Sequence, residues 1–204
     1  AGDYAARLFS LADAKELYER AERLSPSKPL VVLSAQLRKG RVEFAQGNID
    51  AARGVFEHVL RQADSEEPDV FECRLAALLA LSGCDWSMLR RRSSMMWANR
   101  ALTELRRSEQ VSAKTIEAVA ILVRGAVLLG NPREALDHLK VIEGHPLTET
   151  ALSIAGYRGL ALGMLGDKKD AYAAVDRVDH STIESCRDVF TLGAYHQNRG
   201  IVFG

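Results

Sequence analysis

The chain is poor in the residues that interrupt helices and in the residue patterns that carry chemistry. Its 204 residues include only 5 prolines, and aromatics make up 6%. So little proline beside so many Ala, Leu and Arg favours helix. Net charge is also missing, since 27 basic side chains balance 27 acidic ones. That denies the molecule the broad field by which proteins gather nucleic acid or an anionic membrane, so no nucleic-acid partner is expected. No apolar run approaches the ~18 residues that span a bilayer, and no signal-peptide pattern opens the chain. Cys73, Cys84 and Cys186 cannot all pair and none lies in a CxxC, which points to a reduced, cytoplasmic setting.

Catalytic templates are missing too. There is no HExxH, no Cys–His spacing of a zinc site and no GxSxG. His58, His138, His145, His180 and His196 are scattered, and His58 and His138 read as solvated side chains. Gly156, Gly159, Gly163 and Gly166 follow no strand and precede no Lys-Ser/Thr, so they read as close helix packing and not as a phosphate loop. No catalytic residue, metal ligand or cofactor is expected.

What the sequence does contain is a repeat. Five, nine and twelve residues after Gly47 stand Ala52, Phe56 and Val59. The same ladder follows Gly130 as Ala135, Leu139 and Ile142, and Gly166 as Ala171, Val175 and Val178. Near the start, Ala14, Tyr18 and Ala21 repeat it without the glycine. Seven residues before Gly47, Gly166 and Gly200 stand Gly40, Gly159 and Gly193. These spacings put each set on one helix face, with a glycine turn between two helices. Gly47, Gly83, Gly130, Gly166 and Gly200 are spaced at 36, 47, 36 and 34 residues.

That period and ladder resemble the tetratricopeptide repeat (TPR) over nearly the whole chain. Pro26, Pro68 and Pro146 stand near the family's proline between repeats, while its first-helix aromatic is largely missing. The resemblance implies an all-α fold, a right-handed α-solenoid of antiparallel helix pairs. It would form a single domain over 1–204, with about five repeats, the first and last incomplete and one irregular near 84–107. Because the pattern starts and stops inside a repeat, the chain reads as a segment of a longer protein.

Two readings fit the 47-residue interval after Gly83. One is a long helix from Trp86 to Arg107, capped by Asp85 and carrying the stripe Met88, Met95, Ala98, Leu102 and Leu105. The other is a short loop at Cys84–Arg92 before an ordinary helix. The lack of Gly, Pro and Asn there favours the long helix. Arg90-Arg91-Arg92, with Arg100, Arg106 and Arg107, forms a local basic patch. It reads either as a solvated helix face or as an anion or nucleic-acid contact, or as a phosphorylation context for Ser93 and Ser94. Trp86 and Trp97 read as packing residues.

The resemblance further implies that first helices line a concave groove in which a partner segment binds. Carried onto this chain, the groove residues are Leu37, Arg41, Phe44, Cys73, Ala77, Arg124, Val127, Leu160, Met164, Phe190 and Asn198. They form an apolar floor with two arginines, suited to a protein or peptide segment with apolar anchors and carboxylates. The implied function is a protein–protein interaction scaffold or adaptor. The alternative is a regulatory or sensor module of a larger protein, such as a bacterial transcription regulator or a secretion-associated chaperone. Self-association through the C-terminal half-repeat is a further expectation, because its apolar edge lacks a covering helix.

Overall fold

The structure is a computed structural model that describes residues 2–3, 10–106, 112–143, 148–186 and 189–203. Among these residues every regular element is helical. The chain divides into two compact units, Ala1–Glu104 and Leu105–Gly204.

The first unit holds α1 (Leu11–Leu24), α2 (Pro29–Ala45), α3 (Ile49–Gln62), α4 (Pro68–Ser87) and nearly all of α5 (Arg91–Leu105). Prolines open α2 and α4 at a position where the missing N–H costs nothing. Each helix packs on the next, α1 on α2, α2 on α3 and α3 on α4, and α2 also meets α4. That is the contact pattern of stacked antiparallel pairs.

The ladder residues are what join the pairs. Ala52, Phe56 and Val59 of α3 are buried together with Leu33, Leu37, Cys73, Ala77 and Leu81 of α2 and α4. Gly40 marks a close approach of α2 and α3, since a Cβ there would lie 2.5 Å from the Phe56 ring. Full burial of a side chain like Phe56 contributes roughly 1.5–3 kcal/mol. On the other side of α2, Ala14 and Tyr18 of α1 pack against Ala35 and Val42.

In the second unit, α6 (Ala113–Leu128) begins at a reciprocal Ser112–Thr115 capping box. It is followed by α7 (Pro132–Leu139) with a 3-10 turn at Lys140–Ile142, α8 (Thr148–Met164), α9 (Lys168–Asp176), α10 (His180–Ser185) and α11 (Val189–Phe203). α8 is the hub, packing against α7, α9 and α11. Gly159 of α8 repeats the role of Gly40. A Cβ there would come within 2.8 Å of Val175 and 3.2 Å of the Ala171 carbonyl on α9.

The turns explain the repeat and correct its register. Gly47, Gly130 and Gly166 have φ near +80°. Each closes its helix with the same two bonds: for the first, Gly47 N–H to the Phe44 carbonyl (3.0 Å) and Asn48 N–H to the Glu43 carbonyl (2.9 Å). This is a Schellman motif, which satisfies carbonyls the helix end would leave unpaired. Gly83 makes no such turn, because α4 runs through it to Ser87. The turn comes six residues later at Leu89, with φ 61°, and the Arg90 N–H reaches the Asp85 carbonyl at 2.8 Å.

The long helix from Trp86 is therefore overturned in favour of a short turn and a separate α5. Asp85 does not cap a helix but sits inside α4. Taken from Leu89, the ladder is regular again: Ser94, Ala98 and Ala101 stand five, nine and twelve residues on, all fully buried. Gly200 likewise ends nothing, since α11 continues to Phe203.

The α4–α5 pair is closed by polar groups where the others use apolar ones. Ser82 donates to the Ser94 carbonyl at 2.8 Å. Asp85, with none of its surface exposed, accepts from Trp97 Nε1–H at 2.9 Å and from the Ser93 hydroxyl. Its other oxygen lies 3.3 Å from Arg53 Nε on α3. A carboxylate so buried is tolerable only with such partners.

Candidate partner-binding faces

α2 and α4 of the first unit present residues that the core does not use. Arg41 is exposed, and so are Arg38 and Ala45. Arg38 is tied to Asp3 by an ion pair. Asp3 also accepts from the Tyr18 hydroxyl at 2.7 Å, which, with Arg38, holds its carboxyl below the usual range. Burial and that bond push the Tyr18 phenol up to about 12. Arg41 has no such engagement among the described residues. On α4 the partly exposed positions include Ala76, Ala80 and Gly83, whose side chains are small, beside the larger Phe71 and Trp86.

The remaining residues singled out from sequence in this unit have other places. Leu37, Cys73 and Ala77 come together, but in the core cluster, and Phe44 is half-buried against it. Cys73 Sγ lies 3.9 Å from Ser34 Oγ, and burial raises its thiol pKa. Burial, then the charge of Asp85, raises that of Cys84 to about 11, so neither thiol is activated. The displaced face on α4 follows from the register. With the turn at Leu89 and not Gly83, the positions equivalent to Ser34 and Arg41 are Ala76 and Gly83.

In the second unit Arg124 is exposed on α6, where its guanidinium donates towards the Tyr157 hydroxyl of α8. Burial raises the Tyr157 phenol pKa, against the opposing pull of Arg124. Val127 is buried, Leu160 half-buried and Met164 exposed. Leu128, not anticipated from sequence, is exposed on α6 beside Val127. Asn198 is buried, its amide 3.4 Å from where a Cβ on Gly156 would stand. The side chain of Phe190 lies outside those described. Of the histidines, His58 is exposed. His138 is not fully solvated: its Nε2 is buried, 3.6 Å from Glu134.

A separate cleft of about 720 Å³ lies between α8, α9 and α10, lined by Ala155, Leu162, Ala173, Ala174 and the charged Arg158, Asp170 and Arg177. The Arg158–Glu143 ion pair (2.8 Å) closes one side. Its charges are of mixed sign. No group of three or more His, Cys, Asp or Glu among the described residues could hold a metal ion.

The arrangement of helix pairs is shared with solved structures. The fold is that of the tetratricopeptide repeat. A protein from Podosopora anserina, described by its kinesin light chain nearly identical TPR-like repeats, superposes with a TM-score of 0.71 at 16% identity, over 92% of this chain and 93% of that one. BtubC from P. vanneervenii gives 0.72 at 14% identity, over 95% and 84%. YrrB, described as a TPR protein with an unusual peptide-binding site, gives 0.59 at 18%, over 97% and 88%. No family model and no curated protein matches the sequence. Similarity at this identity establishes the fold, and function has to be argued from the faces.

Proposed function

We propose that this TPR-fold chain is a non-catalytic protein-interaction scaffold that holds a partner segment against its first helices. In the first unit the carrying observation is Arg41, an exposed guanidinium with no ion pair among the described residues, on the helix that packs beside the small-residue face of α4. It offers a bidentate donor to a carboxylate, and Ala76, Ala80 and Gly83 leave space for a backbone to pass. In the second unit Leu160, Met164 and Leu128 supply apolar contact, with Arg124 steadied by Tyr157. The solved structure named for a peptide-binding site supports the same mode of action by analogy. No helix among the described residues is long and apolar enough to cross a membrane, and a cytoplasmic protein or peptide is the partner proposed.

The test is affinity capture with the chain as bait, followed by titration of the captured partner. Arg41→Glu should weaken binding by more than tenfold, since losing a desolvated charged contact costs roughly 2–5 kcal/mol. Arg61→Glu, on an exposed position of α3, should bind as the parent does. Equal losses from both would place the interface elsewhere.

We also propose that copies of the chain associate through α11. Ile201 is exposed there and Phe203 about half so, with its ring stacked on Tyr172. A Cβ on Gly193 would meet nothing within 4 Å, whereas Gly40 and Gly159 are filled by Phe56 and Val175.

A further inference from the structure

The α4–α5 turn contains a residue that the fold does not explain. Among the described residues four helices end in the same Schellman geometry. Three of them have glycine at the left-handed position, and the fourth has Leu89 at φ 61°. A branched side chain is strained there, so an L-residue is kept only when something else favours it. Packing is not the reason, because Leu89 is 74% exposed.

What surrounds Leu89 is positively charged. Arg90 follows it, with 55% of its side chain exposed and 3.8 Å from the wholly buried Asp85. Arg91 is fixed in place, its guanidinium 4.0 Å over the Trp86 ring and donating to the Trp86 carbonyl at 2.7 Å. Arg92 is exposed and makes no ion pair among the described residues. Met96, one helical turn beyond Arg92 on the same face, is 55% exposed. The corner therefore offers an apolar tip, three guanidiniums and a thioether, all within the first unit.

We propose that this corner is a docking site for an acidic protein segment, one that sets a bulky apolar side chain against Leu89 and Met96 and its carboxylates against the arginines. The charge is complementary to such a segment, and guanidiniums pair with carboxylates bidentately. A peptide fits better than the other anionic macromolecules. Neither tryptophan is free to stack on bases: Arg91 covers Trp86, and Trp97 is partly buried with its N–H on Asp85. One apolar tip is also too little to enter a bilayer. The site is separate from the Arg41 face and stands or falls without it.

The test uses fluorescein-labelled acidic peptides carrying one Phe or Leu among Asp and Glu, titrated into the intact chain and followed by polarisation. The acidic peptides should bind, and versions with Lys in place of Asp and Glu should not. Arg92→Glu should weaken binding by about tenfold or more. Leu89→Gly should also weaken it while raising the melting temperature, an opposition that a merely structural residue would not produce. Arg61→Glu, on an exposed position of α3, should leave this binding unchanged. The proposal is overturned if the acidic peptides do not bind, or if Arg92→Glu and Leu89→Gly bind them as the parent does. It is equally overturned if single-stranded oligonucleotide or anionic phospholipid vesicles compete for the corner more strongly than the peptides.

Discussion

Replacing Leu89 by glycine should make the protein more stable, which is unusual for removing a large apolar side chain. At φ 61° an L-residue in left-handed backbone loses roughly 1–2 kcal/mol relative to its ordinary conformations. Glycine has no such penalty, although its freer unfolded chain takes back about 0.4–1 kcal/mol. The side chain itself contributes little, since it is 74% exposed. About a quarter of the roughly 1.5–3 kcal/mol of a buried Leu is at stake, or ~0.5 kcal/mol.

On the middle of these ranges the balance is a gain of about 0.3 kcal/mol. Its upper limit of about 1 kcal/mol corresponds to about 2–4 °C in melting temperature for a chain of this size. Calorimetry or circular dichroism melts would measure it. Gly47→Leu is the mirror experiment. It has the same turn with nothing within 4 Å of a new Cβ, so it should lose about 1 kcal/mol without a clash. If Leu89→Gly were destabilising while Gly47→Leu cost the expected amount, the Leu89 side chain would be holding the turn. Left-handed strain at Leu89 would then be too small to matter.

Three further outcomes follow from the packing and charges. Gly159→Leu should destabilise by roughly 1–3 kcal/mol or more by overpacking, because the Val175 methyl and the Ala171 carbonyl occupy the space; a neutral result in a urea melt would contradict that contact. The bonds from Lys15 and Asn48 hold the Glu43 carboxyl below its ordinary 4.5. The folded pKa is the lower one, so this stabilisation is present above about pH 4.5 and disappears as pH falls through the folded value. Lys15→Met should therefore flatten the acid limb of a stability–pH curve, with little change in that limb refuting the assignment. Association through α11 should appear in sedimentation as concentration-dependent and should weaken in Phe203→Asp. A strict monomer at all concentrations would exclude it.

The helix pairs were legible because the ladder is written in residues of contrasting size. Ala52 and Phe56, or Ala171 and Val175, can meet a glycine seven residues before the turn in only one register. The reading slipped where that code changed chemistry. Gly83 is a glycine with no turn and Leu89 a turn with no glycine, and left-handed backbone at leucine leaves no mark in sequence. Moving the turn from one to the other rotates the face of α4, so Cys73 and Ala77 belong to the core and Ala76 and Gly83 to the surface. Arg41 was visible as an exposed cation because its helix had the correct turn. The Tyr157–Arg124 contact was not, because nothing local couples residues on different helices.

An array of similar hairpins faces a hazard that single-core folds do not, since any second helix can offer its ladder to the wrong first helix. Apolar ladders discriminate weakly between such partners, being alike in size and chemistry. The polar closure between α4 and α5 is selective in a way they are not. If α4 paired with an apolar ladder, Ser82 would be buried without Ser94, and Asp85 without Trp97 and Ser93. A buried carboxylate stripped of its partners costs several kcal/mol. Of the two pairs in the first unit whose helices are joined by a Schellman turn, this is the one that cannot exchange partners cheaply.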